Sequence, residues 1–506
     1  MSNKSFKAID RRRPDPAILL LGLSAVLLWF VSVIVLRYYA GALIAPGPNT
    51  VGEAGKVFFA QQFAMGGSIF NTGLEPPYYP SVHGALLHAV PGFVGMLFGA
   101  DTTAFYYIGR AMSVGFTLAT ILVTTRILGV LNLSRWWIVP ILLLLLADRH
   151  VFIHVVSYRP ENWLLFFSAA SCLILLQRQS DLATRVALAV LPVLAFYTKA
   201  SALSLLVSVV LTLIVMRRTR DAWQVGAMSV LLILLTGFGL QAMSDGRFLA
   251  AFSSGASVGF SVENSVRLLR DPLLLFVVGA PILSLKDLAN MSNRSESAVP
   301  SLVVFWIVGL AAAVAAATRA GSNYYYYLEP YFYGSLLLVF WLSRRLSPES
   351  SQASRLASAT LTLLFCFAGF ATHVSFSSRP DVALSETMLF MDERQVVADV
   401  ANSAGMSVFS ADPGLNVLLD RPSVVHPFVQ TGLILGGRLS PETLLGPVER
   451  CEYARVYLVA EKFERHGIPR LPSEFFQAIA TRYMKVPYDG DYLVYEPLET
   501  SVAPPD

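Results

Sequence analysis

The chain has 506 residues, 55% hydrophobic and 14% charged, with a mean hydropathy of +0.57, a balance that excludes an ordinary soluble domain and predicts a polytopic membrane protein. The net charge of +4 hides a division: residues 377–506 hold 11 Lys+Arg against 18 Asp+Glu, a balance of −7, which leaves +11 for the rest. The basic part is thus the apolar part, which argues against nucleic acid as a partner.

In chain order, residues 17–38 follow Arg11, Arg12 and Arg13 and are long enough to span, since about 20 apolar residues are needed. They read as an uncleaved anchor, with cleavage near Ala45-Pro46-Gly47 as the minor alternative. The stretch from Gly52 to Arg110 then mixes charges, His, Pro and Gly with apolar sequence. Further apolar runs lie near 104–125, 136–156, 162–176, 184–198, 200–216, 223–243, 272–285, 300–318, 330–343 and 356–376, giving eleven candidate spans with the first. Segment 80–99 decides the topology. If it does not span, the basic loops Arg126 to Arg135, Arg178 to Arg185, Arg217 to Arg220, Lys286 to Arg294 and Arg344 to Arg355 all face the cytoplasm, as the positive-inside rule requires. His83, His88, Pro91 and four glycines in that segment also suit a helix at the interface. Residues 53–65 and 80–99 are therefore expected as two juxtamembrane helices in a first outer loop, 39–103.

The same parity gathers charged residues on the outer side: Arg110 at the start of the second span, Tyr158-Arg159-Pro160-Glu161, Tyr197-Thr198-Lys199, the loop 244–271, and Asn323 before Tyr324 to Tyr327 and Glu329. Charges near lipid are costly, so a one-sided cluster reads as a site, although each Arg or Lys alone could equally snorkel to lipid phosphates. Asp148-Arg149-His150, inside the third span, reads as an internal ion pair. Cys172, Cys366 and Cys451 are widely spaced and predict neither a disulfide framework nor a zinc site.

After residue 376 the patterning becomes soluble. Segments 407–410, 417–419, 455–459, 483–486 and 492–495 read as strands, and 381–403, 441–451 and 473–482 as helices. The fold class expected is a polytopic α-helical membrane protein, with about 11 transmembrane and two juxtamembrane helices over residues 1–376, and a small extracytoplasmic α/β domain over 377–506.

A lone carboxylate at the start of an interfacial helix, backed by cations, fits group transfer from a phosphorylated lipid. Glu53 would take a proton from an acceptor hydroxyl while the cations stabilise the departing phosphate. The structural alternative is that Glu53 only favours the helix terminus, with Asn49 and Thr50 as capping residues. His83 and His88 project about 140° apart on a helix, a poor chelating geometry, and read as wet interfacial histidines, although His83 could approach the site.

The ordered series Glu53, Gly66-Gly67-Ser68-Ile69-Phe70, Pro76-Pro77-Tyr78-Tyr79-Pro80, Gly109-Arg110-Ala111-Met112-Ser113, Arg159-Pro160-Glu161, Thr198-Lys199 and Asn323-Tyr324 resembles the bacterial polytopic glycosyltransferases of the GT-C fold. The similarity is to the branch related to protein O-mannosyltransferases and the aminoarabinose transferase of lipid A. It covers most of residues 10–345. The resemblance implies a glycosyltransferase of the bacterial inner membrane, N-terminus cytoplasmic, taking a polyprenyl-phosphate sugar as donor and a glycan, lipid or protein as acceptor. It implies Glu53 as the catalytic base, Arg159, Lys199 and Arg110 as contacts to the donor phosphate, and Glu161, Asn323, Tyr324, Glu329 and His83 as the sugar or acceptor pocket. Two departures stand out: relatives often carry Asp-Glu where this chain has Gly52-Glu53, and Glu161 stands where Asp is commoner. No cofactor is required by these residues, and a divalent cation stays open. A flippase for lipid-linked sugars, a glycan ligase or polymerase, and a non-catalytic partner subunit are the rival readings.

Overall fold

The computed structural model describes residues 15–498 apart from 46, 49–50, 82, 135–155, most of 257–297, 319–323, 347–350, 378–394, 401–406, 420–423, 460–470 and 489–491. Helix α1 (Pro16–Ile44) leads into two short helices, α2 (Val51–Ala64) and α3 (Ala85–Phe98), and then α4 (Thr102–Val130). Next come α5 (Pro160–Leu176) and α6 (Leu182–Thr198), a 3-10 turn at Ala200–Ala202, α7 (Leu203–Val215), α8 (Thr219–Met243) and α9 (Arg247–Ala256). Helix α10 (Ala298–Ala317), a 3-10 turn at Tyr324–Tyr327, α11 (Leu328–Arg345) and α12 (Gln352–Ser377) complete the helical body. Among the described residues five helices are long and apolar enough to cross a membrane: α1, α4, α8, α10 and the Gln352–Ala371 part of α12. The expected span at 136–156 and Asp148-Arg149-His150 lie outside the described residues, as does most of 272–285.

Local sequence sets the helix ends. Asp15 accepts from the Ala17 amide with Pro16 opening α1, Asp101 caps α4 through Ala104 N at 2.7 Å, and Asp181 caps α6 through Thr184 N at 2.7 Å. Gly99 ends α3 in the left-handed region, φ +59°, which turns the chain into α4 within three residues. The 14 residues of α3 reach about 21 Å, short of the ~30 Å hydrocarbon core. Helices α2 and α3 pack on each other, and Gly92 permits the approach: a Cβ there would lie 2.7 Å from the Ala60 carbonyl.

The chain breaks between α6 and α7 at Lys199, whose extended backbone (φ −160°, ψ 125°) sends α7 off in a new direction. At the other end of α6, Arg185 and Arg218 both pair with Asp221, at 3.6 and 2.8 Å. The basic loops that parity places together and Lys199 thus occupy opposite ends of one helix. One apolar core runs through α2, α4, α5, α6, α7, α10 and α11.

Beyond α12, strands β1 (Val408–Ser410), β2 (Arg455–Val459), β3 (Tyr483–Val486) and β4 (Tyr492–Pro497) form a mixed sheet of order β1-β2-β4-β3, with β1 and β2 parallel and the other pairings antiparallel. Helices α13 (Pro413–Leu418), α14 (Pro427–Leu435), α15 (Glu442–Glu449) and α16 (Ser473–Arg482) pack around it. The strand expected at 417–419 is instead the end of α13. Asp412 caps that helix through Gly414 N at 2.7 Å with Pro413 as its first residue, and the helix delivers Val417 into the core of the helical body. Of the helix expected at 381–403, only 395–400 falls within the described residues, and it is helical.

The two parts meet at the loop 66–84. The Val425 amide donates to Pro77 O at 3.0 Å, and Tyr79 is stacked between Phe59 of α2 and His426, with ring centroids 5.5 and 5.7 Å away. The loop is fixed at its end by Gly84, whose amide donates to Thr198 O at 3.0 Å. A Cβ at Gly84 would collide with the Tyr197 carbonyl, backbone that cannot rotate aside. Gly84→Ala is therefore expected to lower stability by about 1–3 kcal/mol through this overpacking, read as a lower unfolding midpoint of the purified protein in detergent.

Candidate active site

The first turn of α2 carries Glu53, which is fully buried and paired with the equally buried Arg110 of α4 at 3.0 Å. Glu53 Oε1 also accepts from Arg110 Nε at 3.2 Å and from the Tyr158 amide at 2.6 Å. Arg110 donates further to the carbonyls of Ala45 and Gly47 and lies over the Tyr106 ring, 5.5 Å from its centroid. Removing either partner would strand a buried charge, at a cost of about 3–5 kcal/mol. Both residues are thus drawn into holding the α1–α2 link and the turn before α5, and neither lines the cavity described below.

That turn presents a second group. Arg159 is extended, and Pro160 starts α5, which places Glu161 in its first turn. Lys199, projected by the break after α6, bonds Glu161 Oε1 at 2.7 Å, with both side chains less than a tenth exposed. Glu161 Oε2 is buried with no hydrogen-bond partner among the described residues. Tyr325 and Tyr326 close over the cations: Lys199 Nζ is 4.8 and 4.0 Å from their ring centroids, and the Arg159 guanidinium is 5.3 Å from that of Tyr325.

Glu161 and Lys199 face a narrow cavity also lined by Ser168, Tyr325, Tyr326 and Glu329. At its inner end Ser168 Oγ donates to Glu329 Oε1 at 2.6 Å and lies 2.9 Å from Tyr333 OH. Gly309 lies beside Glu329 there, and a Cβ on it would make only ordinary van der Waals contact at 3.5 Å. A separate, almost wholly apolar groove of about 500 Å³ opens between α3, α4, α5 and α6, lined by Val90, Met112, Phe116, Trp163, Phe167 and Leu194 among others. It runs along the same helix that carries Glu161 in its first turn.

Of the residues singled out in the sequence, Glu161, Lys199 and Glu329 share this cavity, with Arg159 beside it against Tyr325. Asn323 and the Tyr324 side chain lie outside the described residues. His88, expected to be wet, is 1% exposed and packs against Phe59, ring centroids 5.1 Å apart, because the α2–α3 pairing covers it. His83 is half-buried, 6.2 Å from His88 between ring centroids. Sequence reasoning passed over Lys56, Ser168 and Tyr333. Lys56 sits one turn after Glu53, and that spacing was the available signal. Among the described residues no group of three His, Cys, Asp or Glu side chains could hold a metal ion, and Glu53 and Glu161 each face a cation.

Burial governs the titrating groups around α2. It pushes Lys56 well below the ordinary lysine range, with the Arg159 charge adding to the effect. It lowers His83, helped by Lys56, lowers His88 to about 3, and raises Tyr79 to about 12.

No protein-family model matches the sequence, and no curated protein matches it. Solved structures do. The crystal structure of ArnT from Cupriavidus metallidurans bound to undecaprenyl phosphate superposes with a TM-score of 0.56 at 12% identity, over 95% of this chain and all of that one. The chain has the GT-C fold. The apo structure of the same ArnT gives the same score. The archaeal oligosaccharyltransferase AglB from Archaeoglobus fulgidus, in complex with an inhibitory peptide and a dolichol-phosphate, matches with a TM-score of 0.51 at 10% identity, over 94% of this chain and 75% of that one. The likeness to these membrane proteins and the apolar helices identify an integral membrane protein.

His88 sets a pH dependence for this GT-C chain. It binds a proton near pH 6.5 when unfolded but only near 3 when folded, so the unfolded state binds more protons between those values and stability falls as pH drops below 6.5. Between pH 7 and 5 the loss is roughly 2 kcal/mol. His88→Phe is expected to flatten the fall in unfolding midpoint over that interval, and an unchanged slope would assign it to other groups.

Proposed function

We propose that the protein is a glycosyltransferase that moves a sugar from a polyprenyl-phosphate donor to an acceptor hydroxyl at the extracytoplasmic membrane face. The observation that carries this reading is the pairing of two cations, the partly buried Arg159 and the buried Lys199, with an apolar groove along the same helices of a GT-C fold. A lipid phosphate has this dual character: its charged headgroup suits cations, and its isoprenoid tail suits an apolar groove. The similar ArnT and AglB structures hold undecaprenyl phosphate and dolichol-phosphate, respectively. The outer location is supported by the basic Arg185 and Arg218 lying at the opposite end of α6 from Lys199.

In this reading the phosphate sits at Arg159 and Lys199, with the tail against Phe116 and Trp163. The sugar lies towards Tyr325, Tyr326 and Glu329, where aromatic faces and an acceptor oxygen suit hydroxyl groups. The acceptor oxygen bonds the anomeric carbon as the sugar–phosphate bond breaks, and the acceptor proton needs a base. Two carboxylates compete for that role. Glu53 has Oε1 occupied by Arg110 and Tyr158 N, and Oε2 by Arg110, whereas Glu161 has Oε2 buried beside the cavity with no hydrogen-bond partner among the described residues. The geometry favours Glu161 as the base and Glu53 as the anchor of Arg110 and the turn before α5.

Purified protein incubated with a panel of polyprenyl-phosphate sugars should consume one of them in the presence of its acceptor. Glu161→Gln should then reduce kcat by about 10²-fold or more, in line with general-base contributions, with donor binding retained. Glu53→Gln should chiefly lower the unfolding midpoint. Full loss of turnover by a well-folded Glu53→Gln enzyme, with Glu161→Gln active, would return the base role to Glu53.

A further inference from the structure

The cavity that Glu161 and Lys199 face has a built floor. Ser168 stands two turns after Glu161 on α5, roughly 10 Å further along the helix. There Ser168 Oγ donates to Glu329 Oε1 at 2.6 Å and lies 2.9 Å from Tyr333 OH. Ser168 is 1% exposed and Tyr333 is fully buried, its ring held against Phe305 and Phe332 at centroid distances of 5.1 Å. A serine hydroxyl has one proton. With that proton committed to Glu329, the contact to Tyr333 is made by the tyrosine proton, so donation runs one way, from Tyr333 through Ser168 to Glu329.

This polarity decides what the floor can bind. Among the described residues no cation pairs with Glu329, in contrast to Glu161, which has Lys199. The rest of the carboxylate's acceptor capacity borders the cavity, where Leu164, Leu205 and Ala313 supply apolar walls. A group that meets Glu329 there has to bring its own proton donors. A second carboxylate would meet like charge in a nearly dry site, and a methyl group would cover the acceptor without pairing it.

We propose that Glu329, aimed by Ser168 and Tyr333, is the specificity-determining residue of the donor site, and that the sugar it selects carries hydroxyl groups and no carboxylate on the edge remote from the phosphate. The inference rests on the transferase reading above and narrows its sugar to a class. With the lipid phosphate at Arg159 and Lys199 and the anomeric carbon beside Glu161, a ring entering the cavity turns its far edge towards Glu329. Two turns of α5 separate those ends, a span that one pyranose ring with a hydrogen bond at each edge fills. A hydroxyl on the far edge donates to Glu329 from the cavity side as Ser168 does from the protein side, and no bond is made or broken there. The ring is thereby held in register for attack at its other end. A uronic acid is turned away by Glu329 before its anomeric carbon reaches Glu161.

The test measures binding and needs no acceptor. Undecaprenyl phosphate and its glucose, galactose, mannose and glucuronate esters compete with a fluorescent undecaprenyl phosphate analogue for the full-length protein in detergent at pH 8. At least one hexose ester should bind about tenfold or more tighter than the glucuronate ester, the scale of a hydrogen bond to a charged group. In Glu329→Gln, whose amide donates as well as accepts, that ratio should fall below about threefold. Ser168→Ala, which leaves the charge but removes its fixed aim, should weaken the hexose ester by about tenfold. Undecaprenyl phosphate itself does not reach the floor, so its affinity should stay at the wild-type value in both variants, which also certifies their folding. A wild type that binds the glucuronate ester as tightly as the best hexose ester would overturn the assignment of Glu329 alone, as would a ratio unchanged in Glu329→Gln. No binding of undecaprenyl phosphate or of any ester by the wild type would overturn the transferase reading and this assignment with it.

Discussion

The buried pair of Glu53 and Arg110 is the contact on which the rest of the site depends. Two charges with no access to water are tolerable only when their remaining donors and acceptors are satisfied. Satisfying them fixes three pieces of chain. The carbonyls of Ala45 and Gly47 tie the link from α1 to Arg110, and the Tyr158 amide ties the turn before α5 to Glu53. Tyr158 then buries its ring on Gly109 and donates its hydroxyl to Leu87 O, which brings α3 into the same junction. Arg159 and Glu161 follow directly from that turn, so their aim is inherited from a pair that does not itself face the cavity.

The second element is a deliberate break. Helix α6 ends at Thr198, and the chain resumes as α7 only at Leu203. Non-helical backbone inside an apolar body is tolerated where it borders a polar cavity, and here the break serves to present Lys199 to Glu161 and the tyrosines. The Thr198 carbonyl that a continuing helix would have used is taken by Gly84 N instead. The same hydrogen bond secures the loop that carries Tyr79. Ion pair, helix break and loop form one connected unit around the first turns of α2 and α5.

The C-terminal sheet and helices belong to this unit as well. Val417 and Val425 join the apolar core of the helical body, Tyr78 packs on the other side against the core under the sheet, and His426 stacks on Tyr79. Loop 66–84 is thereby held between α2, α3 and the C-terminal segment. That double support explains why its aromatic and proline residues, Pro76 to Pro80, make a defined turn over Gly55 and Phe59.

Much of this was legible in the sequence. Length and apolar content fixed the membrane class. The Asp and Pro punctuation before α1, α4, α5 and α6 fixed where helices begin, because capping is a local interaction. Short motifs in order indicated the GT-C fold, and four of the five segments read as strands emerged as β1 to β4. Val417–Leu419 misled because three apolar residues fit either period, and Asp412-Pro413 decided for a helix. What only the tertiary structure decided is how charges are paired. Sequence lists Glu53, Arg110, Arg159, Glu161 and Lys199 as equals on one side of the molecule and passes over Lys56. Folding divides them into an enclosed pair that anchors the junction, a second pair at the cavity, and Arg159, which meets Lys56 across Gly52, since pairing depends on distances of a few ångströms between helices far apart in the chain.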